Sequence, residues 1–121
     1  MAGHFTLTLE PSASLIVIKM SGFFEEEEVA ALGHEIEKAI AGLPCQASEH
    51  RKLCDISEMA IQSQETAAAF QKLLANKAIQ AQRLAFVTNR ALARLQARRL
   101  NARPGIAFFG DERSARAWLS A

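Results

Sequence analysis

The chain has 121 residues, of which 50% are hydrophobic and 22% charged, a composition typical of one globular domain rather than of a disordered segment. Its 14 basic and 13 acidic residues leave a net charge of +1, which argues against a nucleic-acid-binding protein, because such domains are usually strongly basic. No apolar run approaches the roughly 18 residues of a membrane span, and the N-terminus lacks the hydrophobic segment of a signal peptide. Two cysteines are too few for a disulfide framework and indicate reduced thiols in a cytoplasmic protein.

The N-terminal third of the chain predicts a β-hairpin followed by a helix. Residues Phe5 to Leu9 alternate apolar and polar side chains, as a half-buried strand does, and Leu15 to Met20 form a nearly continuous apolar strand. Only a short turn separates these two strands, so we expect them to pair antiparallel. After Gly22, apolar residues recur at spacings of three and four, which predicts an amphipathic helix that ends at Gly42.

Four consecutive acidic residues, Glu25 to Glu28, occupy the predicted first turn of this helix. The positive end of the helix dipole favours anions there, so a solvated and dipole-matched turn is the simpler interpretation. The sharper alternative is a site for a cation or for a basic partner.

The rest of the chain alternates strands and helices around a predicted central strand, Lys52 to Ile56. The further predicted elements are a helix beginning near Ser63, a buried strand Leu84 to Val87, a helix Arg90 to about Leu100 with Leu92, Leu95 and Leu100 facing inward, a strand Ile106 to Phe109, and a terminal helix Arg113 to Ser120 that Trp118 anchors to the sheet. The order β-β-α-β-α-β-α-β-α predicts an α/β fold. We expect a single domain over residues 1–121, with a mostly parallel five-stranded sheet and an antiparallel first strand.

Polar residues follow the predicted parallel strands and mark a candidate edge for binding a partner. Asp55 and Ser57 come where the central strand should end, Ser63 lies near the next helix, and Thr88 and Asn89 follow the fourth strand. In wound α/β sheets, partners and ligands bind at the carboxyl ends of the strands. An aspartate in this position more often binds the backbone amides of the next turn, and this alternative stays open for Asp55.

Three arginines, Arg90, Arg94 and Arg98, are spaced by four residues and form one stripe on the predicted third helix. A solvated helix face is the simpler interpretation of this stripe. The sharper one is an anion site that contacts an acidic partner or a lipid headgroup.

We find no arrangement of residues that predicts catalysis, a cofactor or a metal. The three histidines are far apart and lack metal-ligand spacing, and no nucleophile elbow, Cys-x-x-Cys pair or glycine-rich phosphate loop occurs. No nucleophile, base and orienting group can be assembled. We therefore expect a protein that is not an enzyme.

The pattern as a whole resembles the STAS superfamily of anti-sigma-factor antagonist-like domains, and most of all its SpoIIAA-like, or STAS and SEC14-like, bacterial group. The residues that carry the resemblance are the strand with its polar end, Lys52 to Ser57, the strand Leu84 to Thr88, and the closing segment Ile106 to Leu119 with its apolar strand, acidic turn and Ala-Trp-Leu helix.

The resemblance implies a non-enzymatic module that binds a protein partner, or alternatively a small apolar or lipid-like ligand. In the family's anti-sigma antagonists, a serine at the start of the helix after the third strand is phosphorylated by a partner kinase. The matching region here is 57–66, in which Ser63 is the nearest candidate and Ser57 the second. The family's Asp-Ser-Ser-Gly type of turn is absent. The oligomeric state stays open, and a homodimer is compatible with the sequence.

Overall fold

A computed structural model describes residues 2–91, 95 and 104–121 of the chain. Its strands are β1 (His4–Glu10), β2 (Leu15–Gly22), β3 (Arg51–Met59), β4 (Arg83–Val87) and β5 (Ile106–Phe109), and its helices are α1 (Glu26–Ala41), α2 (Gln64–Ala75) and α3 (Glu112–Ser120). The predicted helix from Arg90 to Leu100 lies largely outside the described residues. Within that stretch Leu95 is described, and it is 53% exposed rather than facing inward as predicted. No described helix is both long enough and apolar enough to cross a bilayer.

The five strands form one sheet in the order β1-β2-β3-β4-β5. β1 pairs antiparallel with β2, and the other three pairings are parallel, which confirms the predicted mixed sheet. The spatial order follows the chain order and never reverses among these strands. A ligand crevice in a wound sheet forms where the strand order reverses, so the described sheet offers no such crevice at its carboxyl end.

Helices α1 and α2 cover one face of the sheet and enclose the larger apolar core. The sheet contributes to it the side chains of Ile16, Ile18, Met20, Cys54, Ile56, Leu84 and Phe86. The stripe of α1 that includes Leu32 and Ile36 meets these residues, as the spacing of three and four predicts. Phe24 meets the ring of Phe70 edge to face with centroids 5.5 Å apart, which joins the start of α1 to α2.

The terminal helix α3 covers the opposite face of the sheet. Its Ala115 and Leu119 are buried against β2, β3 and β4. Trp118 is half-buried: its ring lies 5.7 Å from that of Phe109, and the guanidinium of Arg83 sits over it at 5.1 Å. The tryptophan therefore contacts the sheet but is not fully buried by it.

Three arginines fasten α3 to the sheet. Arg116 in α3 donates to both carboxylate oxygens of Glu10 in β1 at 2.9 and 2.8 Å, and within the helix it also donates to Glu112 at 2.8 Å. Arg51 and Arg83 donate to the carbonyls of the last helical residues, Leu119 and Trp118. These guanidinium groups bind carbonyls at the end of the helix where its dipole is negative, and the Trp118 carbonyl also accepts from the Ala121 N–H at 3.3 Å.

The central strand β3 is longer than predicted and ends at Met59 rather than at Ile56. Its ladder with β4 stops at Asp55, but its ladder with β2 continues through Glu58 and Met59 after a register shift between Lys19 and Ser21. The polar residues Asp55 and Ser57 therefore mark where β3 stops pairing with β4, but not where it stops pairing with β2. Asp55 and Ser57 lie within the strand and not after it.

Candidate functional site

The segments that leave β2, β3 and β4 come together at one end of the sheet with the starts of α1 and α2. We call this surface the carboxyl edge and define it as residues 22–28, 57–66 and 88–90. The predicted partner residues and both candidate phosphoacceptor serines belong to it, apart from Asp55, which lies two residues before it.

Ser63 is the N-cap residue of α2. Its Oγ accepts a 3.1 Å hydrogen bond from the backbone N–H of Thr66, and its backbone is extended, with φ −67° and ψ 163°. Serine favours this position because its short side chain reaches one of the helical N–H groups that lack a carbonyl partner. The side chain is half-buried at the surface. The predicted helix start near Ser63 is confirmed.

Hydrogen bonds tie the start of α2 to the segment before α1. The Thr66 hydroxyl donates to the Phe24 carbonyl at 2.9 Å, and the Phe24 N–H donates to Gln62 Oε1 at 2.7 Å. The Gln62 amide in turn donates to the carbonyl of Gly22 at 3.1 Å. Thr66, which is 2% exposed, was not predicted from the sequence, because its partner is 42 residues away and no local pattern points to it.

Asp55 and Ser57 bind backbone groups of the sheet. Asp55 Oδ1 accepts a 3.0 Å hydrogen bond from the Ser57 N–H, and the Ser57 hydroxyl donates to the Val87 carbonyl at 3.4 Å. The geometry therefore agrees with the simpler interpretation of Asp55, an aspartate that holds the backbone two residues on. The Ser57 hydroxyl faces β4 rather than the surface of the carboxyl edge.

The residues after β4 differ widely in their exposure. Thr88 was predicted to face a partner, but it is fully buried and its Oγ1 accepts a 3.2 Å hydrogen bond from the Arg90 N–H. Because a buried side chain cannot contact a partner, we correct that prediction: Thr88 positions the backbone at Arg90. Asn89 is exposed.

Arg90 is the one member of the predicted anion stripe that the structure describes, since Arg94 and Arg98 lie outside the described residues. Its Nη1 donates to the Met59 carbonyl at 2.5 Å and to the Ser57 carbonyl at 3.5 Å. This guanidinium thus binds the end of β3. The anion site of the full stripe stays a prediction.

The carboxyl edge is acidic and carries two exposed apolar side chains. Glu25 and Glu28 form a reciprocal capping box at the start of α1, in which the Glu25 N–H donates to Glu28 Oε1 at 2.8 Å. The carboxylates exposed on this edge are Glu25, Glu26, Glu27, Glu58 and, just beyond Ser63, Glu65. Phe23 is 38% and Ile61 45% exposed. A partner that matches this surface would be basic and partly apolar.

Buried polar groups at the opposite, amino end of the sheet were not predicted. His50 is fully buried: its Nδ1 bonds to the Ala47 carbonyl, and its Nε2 has no partner in the part of the chain that the structure describes. Burial lowers the pKa of His50, the bond to Ala47 partly opposes this, and the nearby Lys52 lowers it further. Lys52 is 6% exposed and its ammonium donates to the Ile79 carbonyl.

A cleft of about 590 Å³ also lies at the amino end, between the β1–β2 turn and α3. Its charged lining residues are Glu10, Glu49, Arg51 and Arg116. Arg116 pairs with Glu10, and Arg51 donates to the Leu119 carbonyl. The charged groups in this lining do not favour a lipid-like ligand, whose pocket is predominantly apolar.

The described residues offer no metal centre and one unreactive thiol. Across residues 2–91, 95 and 104–121, no three His, Cys, Asp or Glu side chains are placed to hold a metal ion. Burial raises the pKa of Cys54 to about 12, so this thiol is not a nucleophile near neutral pH.

A family model described as SpoIIAA-like matches residues 15–120 of the chain. The chain belongs to the SpoIIAA-like family. This confirms the resemblance found in the sequence, because the match includes all the segments that carried it. No curated protein matches the chain.

Solved structures share the fold of this SpoIIAA-like protein, among them the following two. An uncharacterised protein of the DUF3478 family with a SpoIIAA-like fold, from Shewanella loihica PV-4, is 25% identical and superposes with a TM-score of 0.75, covering 98% of this chain and 94% of that one. An anti-sigma factor antagonist from Mycobacterium paratuberculosis is 13% identical with a TM-score of 0.64, covering 98% of this chain and 96% of that one. The second likeness concerns the fold alone.

Proposed function

We propose that this SpoIIAA-like protein is a non-enzymatic interaction module of the cytoplasm whose carboxyl edge binds a protein partner, and that phosphorylation of Ser63 controls this binding. The observation that carries the proposal is the position of Ser63, the N-cap of the helix that follows the third strand. The family resemblance assigns the phosphoacceptor serine to the start of that helix.

The environment of Ser63 suits a phosphoryl group. The backbone N–H groups and the positive dipole end of α2 favour an anion at this point, and one of those N–H groups, that of Thr66, already binds the Ser63 oxygen. Ser57 is the weaker candidate, because its hydroxyl bonds to the Val87 carbonyl within the sheet.

The family's Asp-Ser-Ser-Gly turn is replaced here by a different local arrangement. Gln62 directly precedes Ser63. Its side chain links the ends of β2 and β3 by hydrogen bonds with the backbones of Gly22, Phe24 and Ala60. The cap is therefore held by side-chain hydrogen bonds instead of by a glycine turn. This supports a fixed position for the Ser63 hydroxyl despite the missing motif.

The surface around Ser63 indicates the chemistry of the partner. Exposed carboxylates on both helix starts give the carboxyl edge a negative field, and the exposed Phe23 and Ile61 provide apolar contacts. We infer a basic partner surface with an apolar centre. A phosphate would add a charge of about −1.5 to −2 and bulk at Ser63, so the affinity for that partner would change.

No observation on the described residues favours the alternative function, a carrier of a small apolar or lipid-like ligand. The charged side chains in the lining of the amino-end cleft bind one another or backbone groups. Such a lining favours water over a hydrocarbon chain.

Two matched variants test the proposal, Ser63→Asp and Ser63→Asn. Both side chains are good N-caps of nearly the same shape, so they preserve α2 and differ in charge. Each is used to recover partners from lysate of the protein's own cells, and the affinity of the recovered partner is then measured for each. We expect the Asn variant to bind like unphosphorylated wild type and the Asp variant to differ about fivefold or more, a coupling of about 1 kcal/mol.

A charge added elsewhere serves as the control. Ser12 is exposed in the β1–β2 turn at the amino end, so Ser12→Asp introduces the same charge at the opposite edge. It should leave partner affinity unchanged. Equal affinities for the Asp and Asn variants at Ser63 would contradict the proposal.

A further inference from the structure

The outer edge of the sheet at β1 is long, regular and open. β1 pairs with β2 through seven consecutive residues without a register shift, and among the described residues no strand pairs with its other side. Edge strands are normally protected by charges, prolines, bulges or short length. β5, at the other edge, has four residues, whereas the central five residues of β1, Phe5 to Leu9, carry no charge and no proline.

The sequence of β1 is self-complementary about Leu7. If a second copy pairs antiparallel with Leu7 opposite Leu7, then Thr6 of each copy faces Thr8 of the other, and Phe5 faces Leu9. At the ends of the ladder, His4 of each copy faces Glu10 of the other. Apolar pairs and threonine pairs are among the cross-strand combinations that stabilise a sheet.

The same register keeps the two faces of the joined sheet consistent. Phe5 and Leu7 pack against the core under α1 and α2, so the apolar residues of both copies fall on the helix-covered side. Leu9 lies on that side too and is 37% exposed. Phe5 of a second copy would lie directly opposite Leu9 and cover it. If the pairing shifted by one residue, threonine would lie opposite leucine. The helix-covered faces of the two copies would then lie on opposite sides of the joined sheet.

We propose that a second copy of this chain pairs with β1 about a two-fold axis at Leu7, which joins the two sheets into one of ten strands. The contact uses the edge of the sheet and not the carboxyl edge that holds Ser63. The proposed dimer and the proposed phosphorylation therefore concern different surfaces, and either one can be wrong without affecting the other.

The exposed threonines allow a matched test in which the two variants differ only in the charge at residue 8. Thr6 and Thr8 point away from the α1 core, and their neighbours on β2 are Lys19 and Val17. In the double variant Thr6→Glu/Thr8→Glu, two symmetry-related glutamate pairs face each other across the interface. In Thr6→Glu/Thr8→Lys, both become opposite-charge pairs. Within one copy, the glutamate introduced in place of Thr6 lies beside Lys19 in both variants.

Sedimentation equilibrium of the full chain over a range of concentrations measures the result. We expect a dimer for wild type and for the Glu/Lys variant, and a dissociation constant about 10- to 30-fold higher for the Glu/Glu variant, since two cross-strand pairs change sign. A monomeric wild type at the highest concentration, or equal dissociation constants for the two variants, would overturn the proposal.

Hydrogen exchange of the wild-type protein keeps the proposal testable if a variant fails to fold, which far-UV circular dichroism would show. The amides of β1 that point outward should exchange slowly at concentrations where the dimer forms and faster on dilution. Protection that does not depend on concentration would contradict pairing of β1 with a second copy.

Discussion

The hydroxyl of Thr66 donates a 2.9 Å hydrogen bond to the carbonyl of Phe24, although 42 residues separate them, and both groups are buried. This bond fixes the start of α2, with Ser63 at its cap, against the segment that enters α1. The geometry of the proposed phosphorylation site therefore depends on a contact between two helix starts.

Replacing Thr66 by valine keeps the shape of the side chain and removes the hydroxyl. The Phe24 carbonyl would then be buried without this partner, so we expect the free energy of unfolding to fall by about 1–3 kcal/mol. Chemical denaturation measures the change. Thr66→Ser, which keeps the hydroxyl and loses one methyl group, should cost only about 1 kcal/mol. A valine variant as stable as wild type would show that the bond contributes nothing.

Much of the fold follows from local sequence patterns. The apolar runs 15–20, 84–87 and 106–109 predict strands, and all three strands are confirmed, although the residues of β5 are half-buried rather than buried. The end of β3 could not be predicted, because Glu58 and Met59 pair with β2 after a register shift that depends on both strands. Local polarity does not reveal pairing with a distant segment.

His50 should make stability depend on pH. Its pKa is below the ordinary value of 6.5 in the folded state, chiefly because the ring is buried. Below pH 6.5 the unfolded chain therefore binds a proton that the native chain does not, and the free energy of unfolding falls as the pH decreases towards the native pKa. Denaturant unfolding at about pH 7.5 and at lower pH values measures this loss.

The matched variant for this prediction is His50→Asn, whose side-chain amide can still donate to the Ala47 carbonyl. Other titrating groups act equally in both proteins, so the difference between the two pH profiles isolates the histidine. We expect the wild-type profile to fall more steeply on acidification. Parallel profiles would contradict the assignment.

The candidate site was only partly predictable. Ser63 could be found because an N-cap serine before an acidic helix start is a local signal. Thr88 was misassigned, because a threonine after a buried strand has the same local pattern whether it faces solvent or, as here, binds the Arg90 N–H while fully buried. Thr66, His50 and Lys52 were missed, because long-range contacts bury these polar side chains.

Trp118 and Leu119 should contribute unequally to the docking of α3. If the ring of Trp118 were fully buried, its replacement by alanine would lower the free energy of unfolding by about 3–5 kcal/mol. The ring is half-buried against Phe109 and Arg83, so we expect Trp118→Ala to cost about 1–3 kcal/mol. Leu119 is 4% exposed, and Leu119→Ala should cost about 2–5 kcal/mol. Denaturant midpoints in which the tryptophan variant is the less stable of the two would contradict this ranking.

The two cysteines should react at very different rates in the folded protein. Cys54 is buried and its pKa is raised to about 12, whereas Cys45 is half-buried beside the amino-end cleft. A thiol reagent such as Ellman's reagent should therefore modify one thiol per chain under native conditions and two after unfolding. Cys45→Ser should abolish the native reaction, and rapid native modification of Cys54 would contradict the buried position of β3.

The most direct test of the central claim is intact-mass and phosphopeptide analysis of the protein isolated from its own cells, with Ser63→Ala expressed alongside as the unmodifiable control. We predict that a fraction of the wild-type chain is heavier by one phosphate, with the phosphate on Ser63 and no such species in the variant. Absence of a phosphorylated form under all growth conditions, or phosphate on Ser57 in place of Ser63, would contradict this claim.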